Sequence, residues 1–263
     1  MEAQLAVALA ERLGLDVGEP VVLGRGMNVL VYLQPAPIVA RVTRVAHLVR
    51  AIDAFAGGVG LAAALGERAV SPAGLIEPGP HAAGGQYIIF WTYRPVDPAP
   101  PSEAGAALRA FHDAARSYRG PLRSFDPRPE ALRIADLVGG EPGDILRDAA
   151  ARLRPPNLPE QAIHGNAHFG NVLAGGVWQD FDDACSGPRE WDLACMIHRW
   201  AAFGLLEADM RAALAAYGPH DRDAVDALQP LVVLGLAAWG SLAPLIGETS
   251  PRTPARLEWL RSH

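Results

Sequence analysis

The sequence contains no lysine; all 23 of its basic residues are arginine. A catalytic or phosphate-gripping lysine is therefore excluded, and arginine must do any such work. Together with abundant Ala, Gly and Pro, this bias reads as the imprint of a GC-rich genome rather than of chemistry. Cysteine is almost absent. Cys185 and Cys195 supply neither a disulfide framework nor a zinc quartet, and read as buried thiols of a reducing cytosol, so a cytoplasmic location is expected. Positive charge is in deficit, 23 basic against 29 acidic residues, which argues against a nucleic-acid partner. Long apolar runs are missing. The longest candidate, residues 231–247, is 17 residues interrupted by Gly235, Gly240 and Pro244, which is short for a membrane span and predicts a buried helix pair. The N-terminal stretch has an acidic residue at position 2 and no basic segment, and reads as an amphipathic helix rather than a signal peptide. No internal repeat occurs.

What is present is an ordinary globular composition, half hydrophobic and 20% charged, over 263 residues. That length fits one large domain or two small ones. Residues 21–33 read as a β-hairpin around Gly24 and Gly26, 37–45 as a half-buried strand, and 86–93 as a strongly apolar strand. Residues 48–66 read as a helix weakened by Gly57, Gly58 and Gly60. Four prolines within 95–102 mark a boundary, which predicts a lobe over 1–93 and another over 94–263. Ser102 is the expected N-cap of a helix ending near Gly120, and from 188 onward the chain reads as helices.

The chemistry is concentrated in residues 161–184. Gly175-Gly176 between two apolar runs signals a two-residue hairpin turn, since both central positions of such a turn take φ > 0. That register sets Leu173 opposite Trp178 and Asn171 opposite Asp180, so an amide oxygen and a carboxylate meet at the open end. Such ligands suit a Mg²⁺ that also binds substrate phosphates. The alternative is a polar pair closing a surface hairpin, and a slip of one residue would separate the two side chains.

His164-Gly165-Asn166, Asn171 and Asp180-Phe181 at this spacing, followed by the run Ser186 to Ala194 around Asp192, resemble the aminoglycoside phosphotransferase and choline kinase-like family. That family carries H-G-D-x-x-x-x-N, a short hairpin and then D-F or D-W. The resemblance implies an α+β, two-lobed protein-kinase-like fold with a small β-rich N-lobe and a larger helical C-lobe. It implies ATP or GTP with Mg²⁺, and transfer of phosphate to a small hydroxylated acceptor such as an aminoglycoside-like antibiotic, an amino alcohol or a sugar. Asn171 and Asp180 would be the metal ligands. Gly24, Gly26, Asn28 and Arg41 would lie over the nucleotide phosphates, and Trp91, Thr92 and Tyr93 at the adenine hinge. His164 and Asp192 would be structural, Asp192 bracing the catalytic loop. Asp182 and Asp183 would meet a second metal or a cationic acceptor, or else remain solvated loop residues.

Two positions depart from the pattern. Asn166 stands where the family has its catalytic Asp and cannot take up a proton at neutral pH. Gly58 stands where a Glu should anchor Arg41, which would leave that arginine without its partner. The Asn fits either a deliberate replacement in an active kinase or a natural departure. The expected function is a phosphotransferase that is weak or inactive as written. The alternatives are a pseudokinase-type nucleotide- or metabolite-binding protein and a ligand-sequestering protein without turnover. No nucleic-acid or membrane partner is expected, and the sequence leaves the oligomeric state open.

Overall fold

The computed structural model describes residues 1–199 and 205–263. Its N-terminal part is one antiparallel sheet of five strands in the order β1 (Val21–Arg25), β2 (Asn28–Tyr32), β3 (Ile38–Thr43), β5 (Gln86–Thr92), β4 (His81–Ala83). Strand alternation divides its side chains between two faces. Ile38, Ala40 and Val42 of β3 join Ile88 and Phe90 of β5 in a core closed by Ala6, Leu9 and Ala10 of α1 (Glu2–Arg12). The other face presents Arg41, opposite Ile89, toward the rest of the molecule.

That second face is covered by α2 (Asp53–Leu65). It starts later than the 48–66 reading because residues 46–48 form a separate 3-10 turn. Its glycines are not merely weak helix formers. A Cβ on Gly58 would overlap the Phe181 carbonyl oxygen, and one on Gly57 would come within 2.6 Å of the Pro121 carbonyl. The helix therefore sits against the second lobe at backbone distance. Up to about 1 kcal/mol of helix propensity per glycine is given up for that approach.

The C-terminal part is mainly helical. α3 (Pro101–Ala115) begins at Pro101, not after a Ser102 cap, because proline suits the first helical position, where no N–H partner is needed. Two helices not foreseen, α4 (Arg128–Val138) and α5 (Gly140–Arg152), turn back on each other at Gly139 and Gly140, both at positive φ. They pack on α8 (Arg222–Ser241), whose Leu228, Leu231, Val232 and Leu234 are buried. The expected helix pair over 231–247 is this one helix followed by a 3-10 turn at residues 243–246. By length and apolarity alone, residues 222–246 could cross a membrane; here they run through the core of the helical lobe. α6 (Arg189–Arg199) follows the expected helix start, and the reading's continuation over 200–204 lies outside the described residues. α7 (Glu207–Tyr217) and α9 (Thr253–Ser262) complete the lobe. This is the two-lobed α+β architecture expected.

A small sheet sets up the site. β10 (Cys185–Gly187) lies between β6 (Arg123–Ser124), parallel to it, and β7 (Gln161–Ile163), antiparallel, with Cys185 opposite Ile163. The loop leaving β7 and the turn entering β10 are thereby forced side by side. Gly165, at φ +80°, lets them touch, since a Cβ there would overlap the Asp183 carbonyl.

Candidate active site

The loop after β7 is held by one buried carboxylate. Asp192, on α6, accepts hydrogen bonds from the backbone N–H groups of His164 and Gly165, both at 2.8 Å. Its Oδ2 also pairs with His112 Nε2 at 3.0 Å, and His112 Nδ1 in turn meets the Tyr217 hydroxyl at 2.9 Å. The Trp191 indole donates to the Gly165 carbonyl at 2.8 Å. His164 is fully buried, bonded through Nε2 to the Gln179 carbonyl at 2.9 Å. Asp192 and His164 fix the loop and stay clear of the cavity. His168 does a related job, accepting the Gly170 N–H on Nδ1 at 3.1 Å. Burial first, then the charge of Arg199, hold its imidazole well below the usual histidine range, so it is neutral at pH 7.

The hairpin corrects one expectation. β8 (Val172–Leu173) pairs with β9 (Val177–Trp178) so that Leu173 faces Val177 and Val172 faces Trp178. The loop has three residues, not two, and the register is one residue from the one expected. Asn171 consequently lies opposite Gln179, whose N–H donates to its carbonyl at 2.9 Å. The cause is tertiary. The Ala174 N–H donates to the Asp97 carbonyl at 2.7 Å, which takes Ala174 out of the hairpin ladder. Asp180 still reaches the cavity that Asn171 lines because its backbone turns left-handed, φ 63° and ψ 67°. It is the single non-glycine residue at positive φ among those described, in a conformation Asp tolerates better than most.

The cavity between the lobes holds about 380 Å³ and is lined by Asn28, Arg41, Asn166, Asn171, Asp180, Asp182 and Asp183, among others. Gly24, Gly26, Trp91, Thr92 and Tyr93 are not on its wall. Gly24 lies in β1 opposite Leu30 and Gly26 in the β1–β2 turn, with open space beside both. Thr92 and Tyr93 spend their N–H groups on the Ser71 and Pro37 carbonyls at 2.9 and 2.8 Å, and Trp91 is buried against Phe181.

Arg41 crosses the cavity to an ion pair with Asp182 and lies 3.0 Å from Asp180 Oδ1. Asn28 also turns its amide oxygen to Arg41. Burial lowers the Arg41 guanidinium from its ordinary value, and Asp180 and Asp183 oppose that shift. The partner expected at Gly58 is thus supplied by the turn on which Gly58 packs. Neither Asp182 nor Asp183 is a solvated loop residue.

A second cluster was not foreseen. Arg50 grips Glu130 with Nε to Oε1 at 2.7 Å and Nη2 to Oε2 at 2.9 Å, and reaches Asp183 Oδ1 at 2.6 Å. Arg123 adds a contact to Asp183 at 3.2 Å, and the Arg50 guanidinium lies 4.6 Å over the Trp239 ring. Burial pushes the Asp183 and Glu130 carboxyls up, but Arg50 and Arg123 outweigh it and hold both below their usual range, Asp183 far below. Four carboxylates face three arginines on this side of the cavity.

Asn171 donates from Nδ2 to the Asn166 carbonyl at 3.1 Å, which leaves its Oδ1 as the atom that could hold a metal. Asp180, with its side chain 39% exposed, offers a carboxylate on the same wall. No group of three or more His, Cys, Asp or Glu side chains with metal-site geometry occurs among the described residues. Two hard oxygen donors and a local excess of negative charge fit Mg²⁺, which keeps several waters and shares phosphate oxygens. Asn166 Oδ1 accepts a short hydrogen bond from Arg199 Nη1.

Comparison with solved structures finds the same fold over almost the whole chain. Choline kinase LicA from Streptococcus pneumoniae superposes with a TM-score of 0.70 at 14% identity, covering 99% of this chain and 100% of that one. The choline/ethanolamine kinase family protein from Mesorhizobium loti gives 0.62 at 15%, covering 98% and 94%. Spectinomycin phosphotransferase APH(9)-Ia, in complex with ADP and spectinomycin, gives 0.60 at 13%, covering 100% and 94%. A search of curated proteins finds no significant match. The profile of the phosphotransferase enzyme family (APH) matches residues 29–228, more than half of the chain, and the protein belongs to that family.

Proposed function

We propose that this chain is an ATP- and Mg²⁺-dependent O-phosphotransferase for a small hydroxylated metabolite, slowed by Asn166. The observation that carries this reading is the convergence of Arg41, Asn166, Asn171 and Asp180 on one interlobe cavity. Asn171 Oδ1 and the Asp180 carboxylate would hold Mg²⁺, which when bound neutralises charge on the nucleotide phosphates. Arg41 would then turn from Asp180 toward those phosphates while keeping Asp182. Asn166 can orient an acceptor hydroxyl through hydrogen bonding but cannot accept its proton. A positioned base contributes about 10²–10⁴-fold, or roughly 3–5 kcal/mol, so a slow reaction remains within reach of a loose transition state.

One observation favours a second reading, a binding protein without transfer. The Asn166 amide oxygen is already engaged by Arg199, which holds it away from an incoming hydroxyl.

The test is ADP release from Mg·ATP over a panel of hydroxylated acceptors, with Asp180→Ala as the reference. Acceptor-dependent release that Asp180→Ala abolishes supports phosphotransfer. Silence on every acceptor, from this chain and from its Asn166→Asp variant alike, refutes it.

A further inference from the structure

The charges around the cavity are not evenly paired. On the side of Arg41, Arg50 and Arg123, every lining arginine has a carboxylate partner. Arg199 at the end of α6, which bonds Asn166, and Arg256 on α9 line the same cavity, as does Ser250. Among the described residues no carboxylate lies within ion-pair distance of either guanidinium. The next residues in the chain, Trp200 to Gly204, carry no acidic side chain. The side-chain hydrogen bond that Arg199 does make is to the neutral amide of Asn166, where an Asp would have supplied a counter-charge.

Both arginines are held in place. Gly240 on α8 lets α9 approach so closely that a Cβ there would overlap Thr253 Oγ1. Thr253 Oγ1 bonds Ser250 Oγ at 2.7 Å, and Arg152 Nη2 ties down the Leu260 carbonyl at 2.7 Å. Burial, then Arg199 and Arg252, lowers the Arg256 guanidinium from its ordinary value, and no acid opposes this. Nearby His198 is lowered by burial and Arg256, so it adds no charge at neutral pH. Asp183 and Asp180 act on Arg199 only from beyond ion-pair distance, and two partly buried like charges facing one cavity are costly without a nearer counter-charge. The guanidinium fork matches carboxylate and phosphate oxygens.

We infer that the acceptor is an anionic molecule whose carboxylate or phosphate monoester seats on Arg199 and Arg256, with its hydroxyl turned toward Asn166. As a statement about the acceptor this rests on the phosphotransfer reading; as a statement about anion binding it does not. The acidic run Asp180 to Asp183, expected to meet an amine, is occupied by Arg41, Arg50 and Arg123 instead.

The test is calorimetric titration of the full chain saturated with Mg²⁺ and a non-hydrolysable ATP analogue, which blocks the nucleotide phosphate positions. The probes are glycerate, glycerol 3-phosphate, neutral glycerol and cationic choline. The expected result is binding of at least one anion and of neither control. The carboxylate and phosphate arms separate the two anion sources. Arg256→Met, which keeps the apolar stem, should weaken anion binding at least tenfold, and Arg256→Lys, which keeps the charge but not the fork, should restore only part of it. Thermal melting of each variant shows that it is folded. Choline binding with both anions silent, no binding by any probe, or anion affinity unchanged in Arg256→Met overturns the inference. If the nucleotide analogue itself fails to bind, the phosphotransfer reading falls on its own. Titration of the nucleotide-free chain with the same probes and variants then still decides the anion site.

Discussion

Arg41 and Asp182 form a buried ion pair across the interlobe cavity, linking the central strand of the N-terminal sheet to the turn that follows Asp180. The helix that would ordinarily be expected to supply the partner offers Gly58 instead. Gly58 presses α2 onto the Phe181 carbonyl, and the same turn returns a carboxylate to Arg41 one residue later. The loss of a side chain on α2 and the gain of one at position 182 are two aspects of one packing arrangement.

Asp182→Asn removes the counter-charge of a buried arginine while nearly keeping the side-chain shape. Arg41 retains Asp180 at 3.0 Å, so the loss should stay near ~1–3 kcal/mol, and the melting temperature should drop about 2–4 °C per kcal/mol at this chain size. Arg41 then competes for Asp180, and Mg²⁺ should strengthen nucleotide binding less than in the parent. Thermal melts and nucleotide titrations with and without Mg²⁺ check both effects. An unchanged melting temperature would show that the pair carries no net stability.

Restoring the expected side chain on α2 should harm the protein. Even Gly58→Ala places a Cβ against the Phe181 carbonyl and forces α2 off the turn. Overpacking of this kind costs roughly 1–3 kcal/mol, and Gly58→Glu should cost more. Because the displaced turn carries Asp180 and Asp182, nucleotide affinity should fall along with the melting temperature. A Gly58→Glu variant that is as stable and binds nucleotide as well would contradict the packing described.

Acid should unfold the protein through Asp183 and Glu130. Arg50 and Arg123 hold both carboxyls below their usual range in the folded state. In the unfolded chain the same groups return to about 4, so the unfolded state takes up protons first as the pH drops. Their contribution is complete above that unfolded value and is lost as the pH falls from about 5 toward 2. Asp183→Asn should lower stability at pH 7, by roughly 1–3 kcal/mol for a charged hydrogen-bond partner lost at a part-buried site, and flatten the acid limb. Denaturant melts from pH 7 to pH 3 give both numbers, and an identical acid limb in the variant would place the titration elsewhere.

The candidate site was legible where its residues are close in sequence. His164, Asn166, Asn171 and Asp180 lie within 17 residues, and their match to the family's motif indicated one site, of which Asn166, Asn171 and Asp180 line the cavity and His164 supports the loop. The hairpin register was not legible, because Ala174 is taken out of the ladder by Asp97, a residue 77 positions earlier. Arg50 gave no local signal at all; its partners Glu130 and Asp183 lie 80 and 133 positions away. Helices α4 and α5 are separated by Gly139, and α5 opens on Gly140 with Pro142 in its first turn, so that stretch reads locally as a loop. The glycines of α2 read as weakness because the carbonyls they approach belong to residues 121 and 181. At the hairpin and along α2 a tertiary partner overrode a local preference.

Under the proposed function the cavity is a phosphotransfer site lacking only its base. Steady-state comparison of this chain with Asn166→Asp on the same acceptor tests it most directly. The expected kcat is about 10²–10⁴-fold higher in the variant. A higher KM for an anionic acceptor is expected with it, because the introduced carboxylate would pair with Arg199 and compete with the substrate for it. A variant with unchanged kcat on every acceptor, although Mg·ATP binds, would contradict the claim and leave the cavity as a binding site without transfer.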